Sequence, residues 1–181
     1  MVMRYVQMAR LTRTAGVTTV AFSSAGSLLA SGALDGRVCI WRVRDYFLLH
    51  MFSSNVPILS LVWAGDKEDT VICGLQDGTI VLLTITEVRP GQGDLIVTGF
   101  WAHGFPIECL AHSDGLFATG AQEEIRVWRA YSADWAHEAD IPPPPKMSFN
   151  RLLQVLVTSL HWVDADGNPA LMVAYMNHGV Q

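Results

Sequence analysis

Carboxylates, imidazoles and thiols are the side chains of this chain that could do chemistry, and their spacing decides what they can do. Asp164, Asp166 and Asn168, in "VDADGN", alternate as at the start of a calcium loop. Such a loop needs a bidentate Glu further on, and its place holds Tyr175. The stretch therefore reads as a hairpin turn. His103, His112, His137, His161 and His178 are scattered, and no pair has a metal-ligand spacing. Cys39, Cys73 and Cys109 lie far apart and are odd in number, which suggests reduced core thiols rather than a disulfide frame or a zinc site. No serine sits in a G-x-S-x-G elbow, and no glycine-rich loop could cradle a phosphate. No catalytic, cofactor or metal residue is expected.

Composition narrows the class of partner. Of the 181 residues 50% are hydrophobic and 16% charged, enough for a real core. The net charge of −5 argues against a nucleic-acid backbone as the main partner. The longest apolar runs, "IVLL" and "VLV", are far short of the ~18 residues a membrane helix needs. The opening "MVMRYVQMAR" has no continuous apolar core of a signal peptide, so an intracellular protein, cytoplasmic or nuclear, is expected.

What must position these residues is a repeat. "GALDGRVCIW" at 32–41 returns as "GLQDGTIVLL" at 74–83 and "GAQEEIRVW" at 120–128, and begins again as "YMNHGVQ" at 175–181. Matching turn glycines Gly36 and Gly78 are about 42 residues apart, within the ~40–45 of a four-stranded propeller blade. Each unit opens with an apolar strand: "TTVAF", "LSLVW", "IECLAH", "TSLHW". A polar turn, a second strand and an Asp-Gly hairpin follow, because glycine accepts positive φ at no steric cost. The third strand alternates with period two. "YFLLHMF" and "LIVTGFW" supply fourth strands, and no stretch has a sustained helical period.

These residues resemble the WD-repeat β-propeller family, most closely in "VAFSSAGSLLASGALDGRVCIW". The resemblance implies a buried network of loop His, second-strand Ser/Thr, turn Asp and third-strand Trp. Unit one supplies Ser31, Asp35 and Trp41, with Arg13 or Thr14 near the histidine's place. Unit two keeps Asp77 but has Cys73 and Leu83 for the hydroxyl and the indole. Unit three supplies His103, Thr119 and Trp128, with Glu123-Glu124 where Asp-Gly should turn, so no unit is expected to hold a complete network. An indole N–H buried in a sheet needs an acceptor, and a hydroxyl one strand away can provide it.

The fold expected is all-β, an incomplete WD-repeat-like propeller segment of about four four-stranded blades. Its parts are an outer strand at 5–11, blade one at 17–52, blade two at 57–101, blade three at 106–154 and a truncated blade four at 157–181. "EVRPGQGDL" at 87–95 reads as a surface connection, and 131–149, with prolines at 142–145, as a mobile insertion. That proline run is either a stiff spacer or a ligand for an aromatic groove. The resemblance implies a non-catalytic scaffold that binds other proteins through one face. That face gathers loops at 14–17, 55–57 and 105–106 and the hairpin turns, giving Leu34, Asn55, Gln76, Phe105 and Glu123 as candidate contacts. The alternative is a propeller-fold hydrolase, for which only Glu108, His112 and His161 stand on first strands. Open blade faces at both ends call for further blades or self-association.

Overall fold

The computed structural model describes residues 7–11, 15–64, 69–89, 92–131, 134–145, 155–176 and 178–181. Its elements are strands: β1 Val17–Phe22, β2 Leu28–Ala33, β3 Arg37–Arg42 and β4 Phe47–Ser53 form blade one in that order. Blade two is β5 Ile58–Ala64, β6 Thr70–Leu75, β7 Thr79–Arg89 and β8 Gln92–Trp101. Blade three is β9 Cys109–Ser113, β10 Leu116–Ala121, β11 Glu124–Tyr131 and β12 Asp134–Ile141. Blade four is β13 Leu156–Ala165, β14 Asn168–Met176 and the short β15 Gly179–Val180. The chain is therefore a β-propeller segment of four antiparallel blades, the last with three strands among the described residues.

Three expectations change here. Residues 7–11 form no strand, and the first two of the expected outer strand, 5 and 6, lie outside the described residues. The presumed connection at 87–95 is largely strand, because β7 runs on to Arg89 and β8 begins at Gln92. The presumed insertion contains the outer strand of blade three: β12 pairs with β11 from Ile125↔Ile141 to Tyr131↔Asp134. Trp135 packs edge-on against Phe117 with ring centroids 4.7 Å apart, and Ala139 and Ile141 lie against the core. Most of its other side chains, Asp134, His137, Glu138 and Asp140, are polar or acidic because only one side of the strand meets a neighbour. Pro142–Pro145 follow β12 without regular structure, and 146–150 lie outside the described residues.

Three apolar clusters form three seams. Ala30, Val38 and Ile40 of blade one meet Ile58, Leu61 and Trp63 of blade two. Ile72, Ile80 and Leu82 of blade two meet Ile107, Phe117 and Trp128 of blade three. Ala118, Ile125 and Val127 of blade three meet Val157, Leu160 and Val173 of blade four. No cluster joins blade four to blade one among the described residues, so the four blades form a row with two ends.

Each seam closes on a glycine. A Cβ built on Gly32 would lie 2.6 Å from Cγ2 of Ile58, on Gly74 2.7 Å from Cγ2 of Ile107, and on Gly120 2.9 Å from Cγ1 of Val157. A polar bond crosses beside each glycine: Thr18 Oγ1 donates to Ile58 O (2.6 Å), Ser60 Oγ to Ile107 O (2.8 Å) and Cys109 Sγ to Val157 O (3.7 Å). Indoles reach back the other way, Trp63 Nε1 to Ala21 O (3.0 Å) and Trp162 Nε1 to Ala111 O (3.2 Å).

Gly74 is the tightest of these positions, since its added Cβ also comes 2.8 Å from the carbonyl of Ile107. Gly74→Ala should destabilise the protein by about 1–3 kcal/mol, the scale of overpacking a filled core. Chemical denaturation checks this; an unchanged midpoint would mean that the seam can open without cost.

Candidate interaction face

The loops that enter each first strand and the hairpins between second and third strands lie at the same edge of the blades and are bonded together. Leu34 N donates to Gly16 O (3.0 Å) and Gln76 N to Pro57 O (3.0 Å). Ser54 N donates to Gly36 O (2.9 Å) and His103 N to Gly78 O (3.0 Å), tying each hairpin to the chain leaving its blade. Gly36 and Gly78 have φ of 76° and 84°; a Cβ on Gly36 would strike the carbonyls of Ser54 and Val56, and one on Gly78 the carbonyl of His103. Asp35 Oδ1 accepts from Arg37 N (3.1 Å) and Asp77 Oδ1 from Thr79 N (3.0 Å), so both aspartates cap their own turns. Above this framework Leu34, Asn55, Gln76, Phe105 and Glu123 all point to solvent.

Blade three fixes the edge from within. Trp128 Nε1 donates to Thr119 Oγ1 (3.0 Å), which stands 2.6 Å from His103 Nε2, and His103 Nδ1 stands 2.9 Å from Glu124 Oε2. A carboxylate only accepts, so Nδ1 carries a proton; in the neutral ring that burial favours, Nε2 accepts from the Thr119 hydroxyl, which also lies 3.3 Å from the Arg126 carbonyl. The three bonds then run one way, from indole to carboxylate, with a neutral imidazole between. His103 and Thr119 are completely buried. Burial holds the His103 pKa below its ordinary value; the Glu124 hydrogen bond opposes that shift and Arg126 adds to it. Arg126 also donates to the carbonyl of Ala102 and lies 3.4 Å from Asp140. The Trp128 ring is held by Phe100 at 4.8 Å and Phe117 at 6.1 Å.

The expectation that no unit holds a full network fails in blade three, because Glu124 supplies the carboxylate. The β10–β11 hairpin is one residue shorter than β2–β3: Gly120 pairs with Ile125, whereas Gly32 pairs with Val38. The carboxylate therefore comes from the first residue of β11 on a longer side chain. In blade one, Trp41 Nε1 donates to Ser31 Oγ (3.2 Å), and residues 13 and 14, near the histidine's place, lie outside the described residues. In blade two, burial pushes the Cys73 thiol up to about 12, an apolar filler where a hydroxyl would stand.

Residues 7–42 match the family profile described as WD domain, G-beta repeat. Residues 7–42 thus carry a WD repeat, within a chain whose blades have the β-propeller fold. Its similarity to curated proteins is confined to 64 residues: 36% identity to the U3 small nucleolar RNA-associated protein 15 homolog of Bos taurus, over 35% of this chain and 12% of that protein. The Schizosaccharomyces pombe protein of that name is 34% identical over the same length, 13% of its own. The alignment thus spans about an eighth of each relative. Among solved structures, the computationally designed Ika4 protein superposes with a TM-score of 0.69 at 22% identity, over 94% of this chain and 91% of that one. U3-55K superposes with a TM-score of 0.67 at 14% identity, over 91% of this chain and 47% of that one. The Cps50 (Swd1) propeller domain of Myceliophteria thermophila gives 0.67 at 15%, over 91% and 51%.

The remaining candidates for chemistry stay apart. Asp164 Oδ1 accepts from Gly167 N (2.6 Å), so "VDADGN" closes a hairpin. His161 is exposed and bonded to Ser159 Oγ (2.6 Å). His112 and Asp114 line a concavity of about 320 Å³ with Ala21, Val62 and Trp63, at the far ends of the first strands from Phe105.

Two measurements test the blade-three network. Trp128→Phe should cost about 1–2 kcal/mol, the loss of one buried donor that leaves the Thr119 hydroxyl without one of its partners. Trp135→Phe should cost less, because the Trp135 indole makes no side-chain hydrogen bond of this kind. Equal melting temperatures would count against the network. For pH, the folded state binds His103 in its neutral form more strongly than the unfolded chain does. Stability is therefore complete above the ordinary histidine value of 6.5 and falls with acidification, down to the lower folded value. His103→Gln should flatten that part of the stability-pH curve; an unaltered slope would show that another group sets it.

Proposed function

We propose that the chain is a non-catalytic scaffold that binds other proteins through the edge carrying Leu34, Asn55, Gln76, Phe105 and Glu123. One observation carries this reading: exposed apolar, amide and acidic groups stand on loops whose backbone is hydrogen-bonded across blades. A rigid base lowers the ordering cost of binding, and Phe105, 40% exposed, offers an aromatic anchor of the kind that dominates such interfaces. No residue here is asked to do catalysis: Glu108, His112 and His161 stand on separate parts of blades three and four, and His112 shares its concavity with one carboxylate, Asp114. The curated relatives are named as U3 small nucleolar RNA-associated proteins. That supports an intracellular, nuclear setting within a protein assembly that contains RNA. With a net charge of −5 the chain itself meets the proteins of such an assembly rather than the RNA.

Affinity capture from nuclear and cytoplasmic extracts, read by quantitative mass spectrometry, tests this. A variant combining Gln76→Ala, Phe105→Ala and Glu123→Ala should lose a defined set of nuclear proteins. A control altered at the opposite edge, Asp114→Ala with Asn168→Ala, should keep them. With a captured partner purified, Phe105→Ala alone should weaken binding about tenfold or more, the scale of an aromatic hot spot. Identical captures for both variants would overturn the reading, as would turnover of simple ester or phosphate substrates abolished by Glu108→Gln.

A further inference from the structure

Trp101 is an exposed indole on a tightly held part of the loop edge. It is the last residue of β8 and pairs across the ladder with Thr79. Its chain neighbours are both fixed. Phe100 packs on Trp128 with ring centroids 4.8 Å apart, and Ala102, fully buried, donates its N–H to Gly78 O (2.9 Å). Trp101 itself is 66% exposed. Blade two is packed on both faces, by blade one and by blade three, so this exposure is not that of an end of the row.

The blade does not need an indole there. Arg37 pairs with Ser53 in blade one as Thr79 pairs with Trp101 in blade two, and a serine fills the place. Cζ2 of Trp101 lies 4.0 Å from where a Cβ on Gly104 would stand, so the ring borders the bare backbone that leads to Phe105. Two exposed aromatics on a fixed backbone form a patch whose apolar area stabilises nothing until something covers it.

The charges around the patch decide what covers it. At this edge of blades two and three stand Asp77, Glu108, Glu123, Glu124 and Asp140, and against them one guanidinium, Arg126. Arg126 is already held by Glu124 at 3.6 Å and Asp140 at 3.4 Å. Most of the chain's net charge of −5 is therefore concentrated beside the two aromatics. In blade one, Asp35 has Arg37 at 3.9 Å. Thr79 takes the place of Arg37 in blade two, and Asp77 has no ion pair among the described residues. One oxygen of Asp77 accepts from Thr79 N (3.0 Å), which fixes the carboxylate beside the residue that pairs with Trp101.

An indole face and an uncompensated carboxylate next to it suit an organic cation. The ring quadrupole attracts the charge, and the carboxylate accepts its N–H groups. Arginine fits both better than lysine, because a flat guanidinium stacks on the ring while its edge donates two hydrogen bonds. The same carboxylates repel phosphate. We propose that an arginine from a basic, extended segment of a partner protein lies on the Trp101 indole with its guanidinium turned to Asp77, the rest of the segment running over the acidic edge beside Phe105. This rests on the reading of the edge as a protein-binding face, adds Trp101 and Asp77 to that face, and names the chemistry of what binds there.

Fluorescence anisotropy tests it with short labelled peptides, identical glycine-serine frames carrying arginines, lysines or glutamates, and with a labelled oligouridine. The arginine peptide should bind, the lysine peptide more weakly, and the glutamate peptide and the RNA not at all. Trp101→Ser, the residue that blade one uses, should melt as the wild type does. It should weaken the arginine peptide about two- to fivefold, the scale of one exposed cation–π contact, and erase its advantage over lysine. Asp77→Asn keeps an acceptor for Thr79 N; it should weaken both basic peptides at low salt, with the loss fading as salt rises. Arginine and lysine peptides bound alike, binding of the glutamate peptide or the RNA, or an arginine-peptide affinity unchanged in both variants would overturn the proposal. The two readings fail separately. Partners lost by the Gln76, Phe105 and Glu123 variant but kept in full by Trp101→Ser and Asp77→Asn would strike this inference alone, and captures indifferent to every one of these changes would strike both.

Discussion

A branched side chain resting on a bare glycine is the contact that organises this molecule. Ile58 on Gly32, Ile107 on Gly74 and Val157 on Gly120 bring each first strand onto the second strand of the blade before it. At that distance a hydroxyl or thiol can reach the next backbone carbonyl, and a Trp from the next blade can reach back. The seam is thus dispersion and burial held in register by a few directional bonds. Because each blade buries its faces only against neighbours, stability is a sum over seams, and the end blades carry what no seam has covered.

The loop edge inherits its rigidity from these seams. His103 leaves blade two in a chain whose backbone is bonded to Gly78, yet its ring is held by Thr119 and Glu124 of blade three. One imidazole therefore staples two blades directly beneath Phe105. The neutral ring follows from burial: with the Nδ1 proton given to Glu124, Nε2 is left to accept from Thr119. Blade two has no such staple, with Cys73 and Leu83 in the matching places, but its face is filled by Leu61, Trp63 and Val71. Packing there replaces hydrogen bonding.

Sequence reasoning found the inner three strands of each blade because two buried faces impose a visible period. Alternation in "RVCIW" and the Asp-Gly turns leave few other folds open. It missed β12 because an outer strand is paired on one side only: Asp134, His137, Glu138 and Asp140 look like a loop, and only Trp135, Ala139 and Ile141 report the packed side. It missed Glu124 for a related reason. The carboxylate was sought in the hairpin, but a hairpin shortened by one residue moves the acceptor into the strand and calls for one more methylene. The network is defined by where its atoms end up, and two different sequences reach the same place.

The ends of the row follow from the same geometry. A repeat sequence can lose the polar network in one blade, as blade two has, because neighbouring seams still cover that blade. It cannot leave an end face apolar without exposing that face to water or to another sheet. An end blade written for solvent would carry charge on Val20, Phe22, Met172 and Val180, as β12 does on its solvated side. These four positions keep the apolar character of their buried counterparts. Side-chain chemistry at both termini of the row is that of an interior, and an interior requires something packed on each side of it.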